Sequence, residues 1–419
     1  MLDIKFIREN LEQVKKDTLA KGYKTDVDAV LALDDERKKI NQQADELRAR
    51  RNQIAASMKK AGGKPAPEII EEGKKIKEEL SKFENQLRNL EAEVQRGLNA
   101  IPNVLQSDVP IGKEGEDELV KTWGEHLFEN RQGARDHLDF ANSKNWVDFE
   151  RGAKVAGTKF YFLKGDLALL ENALYQFALQ KLLAKGFNFM TVPHMVNGEV
   201  ATGTGFAPRS SEQSDEYFIE NEDLSLIATA EMSLTGYHAN EILNEKDLPI
   251  FYAGYSPCYR KEAGTYGKHT RGLFRVHQFN KLEMYAYTLP EQSVEIHEKI
   301  LAVEEEIYQE LGIPYRVINI ASGDLGAPAS KKYDIEYWSP VDGNYREITS
   351  CSNCTDYQAR NLNIRVRREN GELQVVHTLN GTAVSLARCL VAVIENFQDG
   401  EDLVLPEVLK LFMGGRARI

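Results

Sequence analysis

Residues 251–287, FYAGYSPCYRKEAGTYGKHTRGLFRVHQFNKLEMYAY, consist of two apolar stretches separated by a charged, glycine-rich loop. The loop, Lys261 to Gly272, has about 12 residues, which is long for a hairpin connection and typical of a functional loop. Period-two alternation along the second stretch places four side chains on one face: His277, Phe279, Lys281 and Glu283. We therefore predict an antiparallel hairpin that presents an aromatic ring, a base and a carboxylate beside Arg260.

Segments on both sides of this hairpin predict a mixed domain. Residues Leu167 to Lys185 have the apolar spacing of a long helix, with Gly186 at its C′ position and a strand from Phe187 to Val192. Further along, Asp334 to Ser339 and Tyr345 to Ser350 are predicted as antiparallel strands. Because helices and strands do not alternate strictly, we expect an α+β fold with a largely antiparallel sheet flanked by helices.

The segment from Thr378 to Gln398 is predicted as one helix that begins at Asn380-Gly381-Thr382 and ends before Gly400. Its apolar stripe comprises Ala383, Ala387, Leu390 and Ile394. Arg388 would lie two turns into this helix, among small residues. From there it can lean towards the helix N-terminus, where backbone N–H groups favour an anion.

The first quarter of the chain predicts helices only. Residues 1 to about 24 form a short amphipathic helix, and two heptad patterns follow on either side of the break Ala61–Pro67. The seven-residue repeats comprise Leu33, Ile40, Leu47 and Ile54, then Ile69, Ile76, Phe83 and Leu90. This pattern predicts an antiparallel coiled-coil hairpin over about 28–97, and residues 97–122 read as a linker. We therefore expect an N-terminal domain of residues 1–108 and a second domain of residues 109–419.

Composition restricts the class of protein further. The hydrophobic fraction is 42% and the charged fraction 28%, which excludes disordered and collagen-like chains. The net charge of −12, taken over the whole chain, argues against nucleic acid as a partner, although local positive charge matters more. The four cysteines, an N-terminus without an apolar signal region and the lack of long apolar runs predict a cytoplasmic protein without a membrane segment. The pair Cys351 and Cys354 is too little for a zinc site, and we expect no zinc.

Charge on the coiled coil is uneven. Residues 34–96 contain 15 basic and 13 acidic residues, so this segment is +2 while the remainder of the chain is −14. The basic residues considered for polyanion binding are Arg48, Arg50, Arg51, Lys59, Lys60, Lys74 and Lys75. A solvated coiled-coil surface and a surface that binds a polyanion both explain this pattern.

Several stretches, in order along the chain, together resemble the seryl-tRNA synthetase family of class II aminoacyl-tRNA synthetases. They are GFNFMTVP at 186–193 (like motif 1), Thr229-Ala230-Glu231, PCYRKEAGTYGKHTRGLFRVHQFNKLEM at 257–284 (like motif 2), EITSCSN at 347–353 and LNGTAVSLARCLVAVIENFQ at 379–398 (like motif 3). With the coiled coil, the resemblance covers essentially the whole chain and implies a class II synthetase-like antiparallel sheet. Motif 2 departs from the usual Phe-Arg-Ser-Glu at Tyr259 and Lys261.

The resemblance implies roles for individual residues. The ATP site would comprise Arg260, Lys261, Glu262, Val276, Phe279, Glu347, Ile348, Thr349, Ser350 and Arg388, of which Arg260, Glu262 and Arg388 would be catalytic. Glu347 and Ser350 would bind Mg²⁺. The serine pocket would comprise Thr229, Ala230, Glu231, Arg260, Glu283, Asn380 and Thr382. Strict alternation would place Glu347 and Ser350 on opposite faces of their strand, so we predict a bulge or strand end between them.

The activity implied is the activation of L-serine with ATP to seryl-adenylate, followed by transfer to tRNA(Ser), and also to tRNA(Sec). The coiled coil would bind the tRNA, and motif 1 would form a homodimer interface. The alternatives are a catalytically inactive synthetase-like protein that binds RNA or regulates, and a ligase that aminoacylates a carrier protein. Loss of motif residues would indicate the first alternative and loss of the arm the second, but the sequence contains both features.

Overall fold

The computed structural model describes residues 1–61, 66–128, 131, 133–206, 216–262 and 271–419, with only the backbone of Lys60 and Ala61. It divides into two compact units. Residues 2–19 and 23–101 form the helical unit, and residues 102–419 with Met1 and residues 20–22 form the mixed unit. None of the described helices is long and apolar enough to cross a membrane.

The helical unit begins with two short helices, Ile4–Glu9 and Leu11–Ala20, where the sequence predicts one. The break lies at Asn10, whose side-chain amide donates to the Phe6 carbonyl oxygen at 3.0 Å. Asparagine commonly interrupts helices in this way, because its side chain competes for the backbone groups. A prediction from apolar spacing alone does not detect this break.

Two long helices follow, α1 at Val27–Ala61 and α2 at Pro67–Ala100. Their contact is the predicted heptad seam, with Ala44, Leu80 and Leu87 buried and Ile40, Leu47 and Phe83 packed around them. Ion pairs join Arg48 to Glu84 and Arg50 to Glu72. The later residue of α1 thus pairs with the earlier residue of α2, as expected for antiparallel helices. The predicted long antiparallel hairpin is therefore confirmed.

The described residues of the mixed unit form an eight-stranded sheet. Its strands are β1 (Glu118–Trp123), β2 (Asn188–Thr191), β3 (Ile250–Tyr259), β4 (Gln278–Thr288), β5 (Tyr315–Asn319), β6 (Lys331–Ser339), β7 (Asn344–Asn353) and β8 (His377–Ser385). Their order across the sheet is β1-β5-β6-β7-β8-β4-β3-β2. Neighbouring strands are antiparallel except β2 and β3, which are parallel.

Helices cover both faces of this sheet. The main helices are α3 (Gly165–Ala184), α4 (Ala230–Gly236), α5 (Ser293–Glu310) and α6 (Leu386–Phe397). Shorter helices span His137–Ser143, Phe149–Ala156, Gly198–Gly203 and Tyr357–Asn361. Small strands outside the main sheet are Val147–Asp148, Phe162–Leu163, Met195–Asn197, Leu224–Leu226, Ile242–Asn244, Arg365–Arg367, Leu373–Val375, Gln398–Asp399 and Asp402–Leu403. The predicted α+β class with a largely antiparallel sheet is confirmed.

Strand β4 shows why two cores form. Leu282 and Met284 belong to the larger core, which also contains Ile300 of α5. Tyr285 and Tyr287 belong to a second core with residues of α4. Because successive side chains of a strand point to opposite faces, each face of the sheet buries its own apolar layer.

Two predictions about these elements are wrong. The predicted helix 378–398 is strand β8 followed by helix α6, with Asn380-Gly381-Thr382 inside the strand. Residues 378–385 are all buried, so the strand lacks the alternation that identifies a half-exposed strand. The predicted linker 97–122 contains the end of α2 and most of β1, a largely exposed strand at the sheet edge.

Candidate active site

The ladder between strands β7 and β8 stops at Cys351, near the end of β7, and at Gly381, in the middle of β8. Within these fully described strands, pairing covers only Cys351 with Gly381 and the two pairs that follow it. Residues 344–350 of β7 and residues 382–385 of β8 do not pair with each other. One residue on each strand, Ile348 on β7 and Ala383 on β8, has no partner in the ladder with its other neighbour. We refer to the unpaired region, residues 344–350 and 382–385, as the open seam.

The predicted bulge between Glu347 and Ser350 is present. Glu347 lies opposite Glu336, and Ser350 lies opposite Asp334, so the residue left over is Ile348. Because Asp334 and Glu336 are two residues apart on one strand, Glu347 and Ser350 reach the same face of the sheet. The bulge thus brings a carboxylate and a hydroxyl to one side of the open seam.

Arg388 and Glu347 form an ion pair at the open seam. Arg388 is the third residue of α6, not a residue two turns in, and its Nη1 lies 2.8 Å from Glu347 Oε1. Burial acts to raise the pKa of Glu347, but the charges of Arg388 and Lys332 outweigh it and lower the pKa to about 2. Glu347 is therefore a carboxylate at neutral pH, and Arg388 is a cation held in the first turn of its helix.

A narrow cleft adjoins this ion pair. Its lining comprises Arg260, Glu262, Leu273, Phe274, Val276, Phe279, Ser385, Ala387 and Arg388. The Arg260 guanidinium lies 5.4 Å from the Phe279 ring centre and donates through Nε to the Ala228 carbonyl oxygen at 3.3 Å. The Arg388 guanidinium lies 5.1 Å from the Phe274 ring centre. Two guanidinium groups and two aromatic rings are suited to a flat base carrying phosphates.

The other residues predicted for the ATP site do not all line the cleft. Glu262 lines the cleft and pairs with Arg275 at 3.4 Å, in a left-handed backbone conformation with φ of 50°. The side chains of Ile348 and Thr349 are buried and do not line the cleft. Lys261 Nζ lies 5.7 Å from the Tyr217 ring centre and 5.5 Å from that of Phe218. Residues 263–270 of the predicted loop lie outside the described residues.

A buried polar pocket lies on the α4 side of β4 and β8. Thr229 Oγ1 donates to Glu283 Oε2 at 3.2 Å, and Asn380 Nδ2 donates to Glu231 Oε1 at 2.9 Å. Thr382 stands opposite Glu283 in the ladder, so these five side chains meet in one place. Their backbones come from the start of α4 and from the two adjacent strands. The pocket offers carboxylates to an ammonium group and two hydroxyl groups to a small polar ligand.

The carboxyl groups of Glu231 and Glu283 in this pocket have different charged neighbours. Burial and the charge of Glu283 raise the pKa of Glu231 to about 7, while a hydrogen bond from Gln358 at 2.8 Å opposes the rise. Glu283 forms an ion pair with Lys281. The raised pKa of Glu231 follows because burial and a nearby like charge both disfavour its charged form.

Sequence reasoning missed two residues at these sites. Phe274 lies under Arg388, and its only sequence signal is an aromatic residue directly after a glycine-rich loop. Gln358, on the short helix Tyr357–Asn361, has no signal at all, because its contact with Glu231 depends on how distant segments pack. Ala230 is buried at the start of α4, beside the predicted pocket residues.

Both cysteines of the Cys351 and Cys354 pair are free and buried. Cys354 Sγ lies 3.7 Å from Asn380 Nδ2, which donates to it. Among the described residues, three or more potential metal-binding side chains come together at Asp136, His137 and Glu395. The cysteine pair is not part of that group.

The basic residues considered above for polyanion binding differ in whether they form ion pairs. Arg48, Arg50 and Lys75 form ion pairs with nearby carboxylates. Arg51, Lys59 and Lys74 have exposed side chains, and no carboxylate in the described part of the chain forms an ion pair with them. The side chain of Lys60 lies outside the described residues.

Comparison with known proteins identifies the family. Residues 1–105 match the seryl-tRNA synthetase N-terminal domain, and residues 215–397 match the tRNA synthetase class II core domain of the G, H, P, S and T group. The serine–tRNA ligase of Dictyoglomus turgidum is 46% identical over 419 residues, which is 99% of this chain and 98% of that one. That of Rubrobacter xylanophilus is 44% identical over 418 residues, again 99% and 98% of the two chains.

Solved structures agree with these relatives. The crystal structure of seryl-tRNA synthetase from Pyrococcus horikoshii complexed with ATP superposes with a TM-score of 0.89 at 42% identity, covering 100% of this chain and 99% of that one. The cytoplasmic serine–tRNA ligase from Naegleria fowleri in complex with AMP gives a TM-score of 0.85 at 32% identity, covering 100% and 98%. The class II sheet, the helical hairpin and these full-length similarities lead to one conclusion: the chain belongs to the seryl-tRNA synthetase family of class II aminoacyl-tRNA synthetases.

Proposed function

We propose that this enzyme activates L-serine with ATP to give seryl-adenylate and pyrophosphate, and then transfers the seryl group to the 3′ end of tRNA(Ser). The observation that carries the proposal is the polar pocket of Thr229, Glu231, Glu283, Asn380 and Thr382 beside the cleft of Arg260 and Arg388. Serine-dependent formation of seryl-tRNA from a tRNA(Ser) transcript tests it. A protein that binds the transcript and ATP but forms no seryl-tRNA would instead be the inactive synthetase-like alternative.

The cleft supplies what adenylate formation needs. The reaction joins a serine carboxylate oxygen to the α-phosphorus of ATP and expels pyrophosphate, so negative charge accumulates where the two anions meet. Arg260 would bridge the serine carboxylate and the α-phosphate, and Phe279 and Val276 would lie against the adenine. Arg388 would hold the outer phosphates after exchanging its Glu347 partner for them. Catalysis then rests on positioning and on fixed positive charge.

Mg²⁺ fits the residues at the open seam. Glu347 is ionised, and Ser350 reaches the same face of the sheet, so the donors are hard oxygen atoms of the kind that Mg²⁺ prefers. We assign the ion to Glu347 and Ser350, where it would neutralise part of the phosphate charge.

The polar pocket selects serine by its hydroxyl group. Glu283 and Thr382 would bond that hydroxyl, and Glu231 with Thr229 would face the ammonium group. Alanine would leave these buried polar groups without partners, which costs far more than a lost methylene contact. Threonine keeps the hydroxyl group, so it would have to be excluded by the size of its additional methyl group.

Binding of serine should depend on the ionisation of Glu231. Its pKa is raised to about 7, so below that pH the side chain is a neutral acid and attracts the ammonium group weakly. We expect kcat/KM for serine to rise about tenfold per pH unit below pH 7 and to level off above it. Glu231→Gln should lower kcat/KM and remove this inflection. A pH profile from 5.5 to 8.5 that is the same for both proteins would contradict the assignment.

The helical unit is proposed to bind the tRNA. Arg51, Lys59 and Lys74 are exposed cations without carboxylate partners in the described chain, as phosphate contacts require. Arg48, Arg50, Lys60 and Lys75 are proposed as further contacts, although three of these are also held by ion pairs within the hairpin. This division predicts which substitutions weaken binding most.

A triple substitution, Arg51→Glu with Lys59→Glu and Lys74→Glu, should raise KM for tRNA(Ser) by about 100-fold. The slope of log KM against log salt concentration should fall by about 2 to 3 units, since about one counterion is released per phosphate contact. Tritium-labelled serine incorporation measures both quantities. The matched control changes Lys39, Arg88 and Arg96, exposed cations near the other end of the hairpin, to Glu. Equal losses in both triple variants would show a general charge effect and contradict the proposal.

Other assignments are proposed on the family resemblance. A homodimer through the motif 1 region is supported by the position of β2 at the sheet edge and by the half-exposed Leu169 and Leu183 on α3. Charging of tRNA(Sec) and a cytoplasmic location stay predictions, as does the domain division at residues 108 and 109.

A further inference from the structure

Glu304 is a buried acid behind the open seam that the proposed reaction does not use. It lies on α5, its side chain is fully buried, and neither carboxyl oxygen has a hydrogen bond of full geometry to the described residues. A carboxylate left in that state would be costly, because burial without a partner penalises the charged form heavily. The packing of α5 alone does not explain why an acidic residue is buried at this position.

The surroundings of Glu304 indicate what it does. A Cβ atom added to Gly381 would lie 2.9 Å from Glu304 Oε1 and would overlap Ile300 Cγ2, so glycine on β8 makes room for this carboxyl group. Thr349, on the other side of the open seam, donates its hydroxyl hydrogen to the Thr382 carbonyl oxygen. That bond joins the two strands where their backbone ladder is missing.

Burial and the charges of Glu283 and Asp334 raise the pKa of Glu304 well above its ordinary value, while Thr349 and the Thr382 backbone lie close enough to lower it in part. The other titratable groups against it are Tyr308, one helical turn further on, and Cys351, both with raised pKa values. Burial favours the neutral forms of Glu304, Tyr308 and Cys351. Tyr308 Oη, like the Glu304 carboxyl oxygens, has no hydrogen bond of full geometry among the described residues, so two protonated groups can donate in this cluster: the Glu304 carboxylic acid and the Tyr308 hydroxyl.

We propose that Glu304, as a neutral carboxylic acid, donates a hydrogen bond to the Thr349 hydroxyl and thereby fixes the Thr382 carbonyl across the open seam. Thr382 would supply a hydroxyl to the proposed serine pocket, and its backbone has no ladder partner on β7, so the Thr349 hydroxyl is its contact with that strand. Glu304 is thus a positioning residue for the serine side chain. This inference rests on the proposed function of the pocket and extends it to a residue on the opposite face of the sheet.

The test compares three variants in serine-dependent ATP–pyrophosphate exchange, together with thermal melting. Glu304→Gln keeps a donor of the same length and should leave both Michaelis constants within about twofold of the unchanged protein. Glu304→Met removes the donor and should raise KM for serine about tenfold, with KM for ATP unchanged, as expected for one lost hydrogen bond. Thr349→Val removes the hydroxyl group that would link Glu304 to the Thr382 carbonyl oxygen. It should therefore reproduce the effect of Glu304→Met.

The outcomes separate the role of Glu304 from the proposed function. Exchange by the unchanged protein is measured first, and its absence with serine would overturn both. If exchange is present, equal rises in the two Michaelis constants, or a Glu304→Gln variant as impaired as Glu304→Met, would overturn the positioning role alone. Should Glu304→Met fail to fold, Thr349→Val with a normal KM for serine would overturn it equally.

Discussion

The Arg260→Ala protein is expected to fold normally and to lose serine-dependent ATP–pyrophosphate exchange by at least about 10³-fold. Arg260 contacts the Phe279 ring and the Ala228 carbonyl, so its guanidinium is already fixed at the mouth of the cleft. Fixed donors need no reorganisation when charge develops at the reacting phosphate, which is why a single such group has so large an effect. The loss should appear in kcat more than in KM for ATP, since the group acts mainly as the bond forms.

Arg271→Ala is the matched control for this variant. Arg271 belongs to the same hairpin, but its guanidinium pairs with Asp139 at an exposed position and does not line the cleft. It should keep exchange within about twofold of the unchanged protein, as is usual for an exposed ion pair. An Arg260→Ala protein with normal melting temperature and near-normal exchange would contradict the assignment of this arginine.

Arg388→Ala should reduce kcat/KM for ATP by about 100-fold or more. The substitution removes the cation proposed to hold the outer phosphates, and it also removes the ion-pair partner of Glu347, the proposed Mg²⁺ ligand. Adding Glu347→Gln should therefore cost less in the Arg388→Ala background than it does alone, because the ion pair between the two side chains is already lost. Exchange kinetics of the two single variants and the double variant, at saturating serine, measure this coupling.

Arg418→Ala is the corresponding control, since Arg418 pairs with Asp399 at an exposed position outside both the cleft and the pocket. It should change neither Michaelis constant. If the effects of Arg388→Ala and Glu347→Gln simply add, the two residues act independently, and the proposed exchange of Glu347 for phosphate would be contradicted.

The parts of the fold that follow local periodicity could be predicted from the sequence. The hairpin of β3 and β4 alternates in polarity because one face of β4 carries Phe279, Lys281 and Glu283 and the other is apolar. The bulge at Ile348 could be predicted only with the family resemblance, which requires Glu347 and Ser350 on one face where strict alternation separates them. The heptad seam of α1 and α2 is an equally local pattern.

What could not be predicted depends on burial and long-range packing. Strand β8 is buried on both faces and rich in small residues, so its pattern suits a buried helix as well as a strand. The sequence pattern therefore predicts Arg388 in the middle of a helix, whereas it lies in the first turn. Gln358 and Glu304 reach the pocket region from separate helices, and no spacing in the sequence connects them to it.

The most direct test of the central claim is ATP–pyrophosphate exchange by the unchanged protein with Mg²⁺, without tRNA, in the presence of serine, threonine, alanine or cysteine. A pocket that bonds a hydroxyl through Glu283 and Thr382 predicts strong exchange with serine and rates lower by at least about 10³-fold with alanine. Exchange with none of the four amino acids, or equal exchange with serine and alanine, would contradict the account.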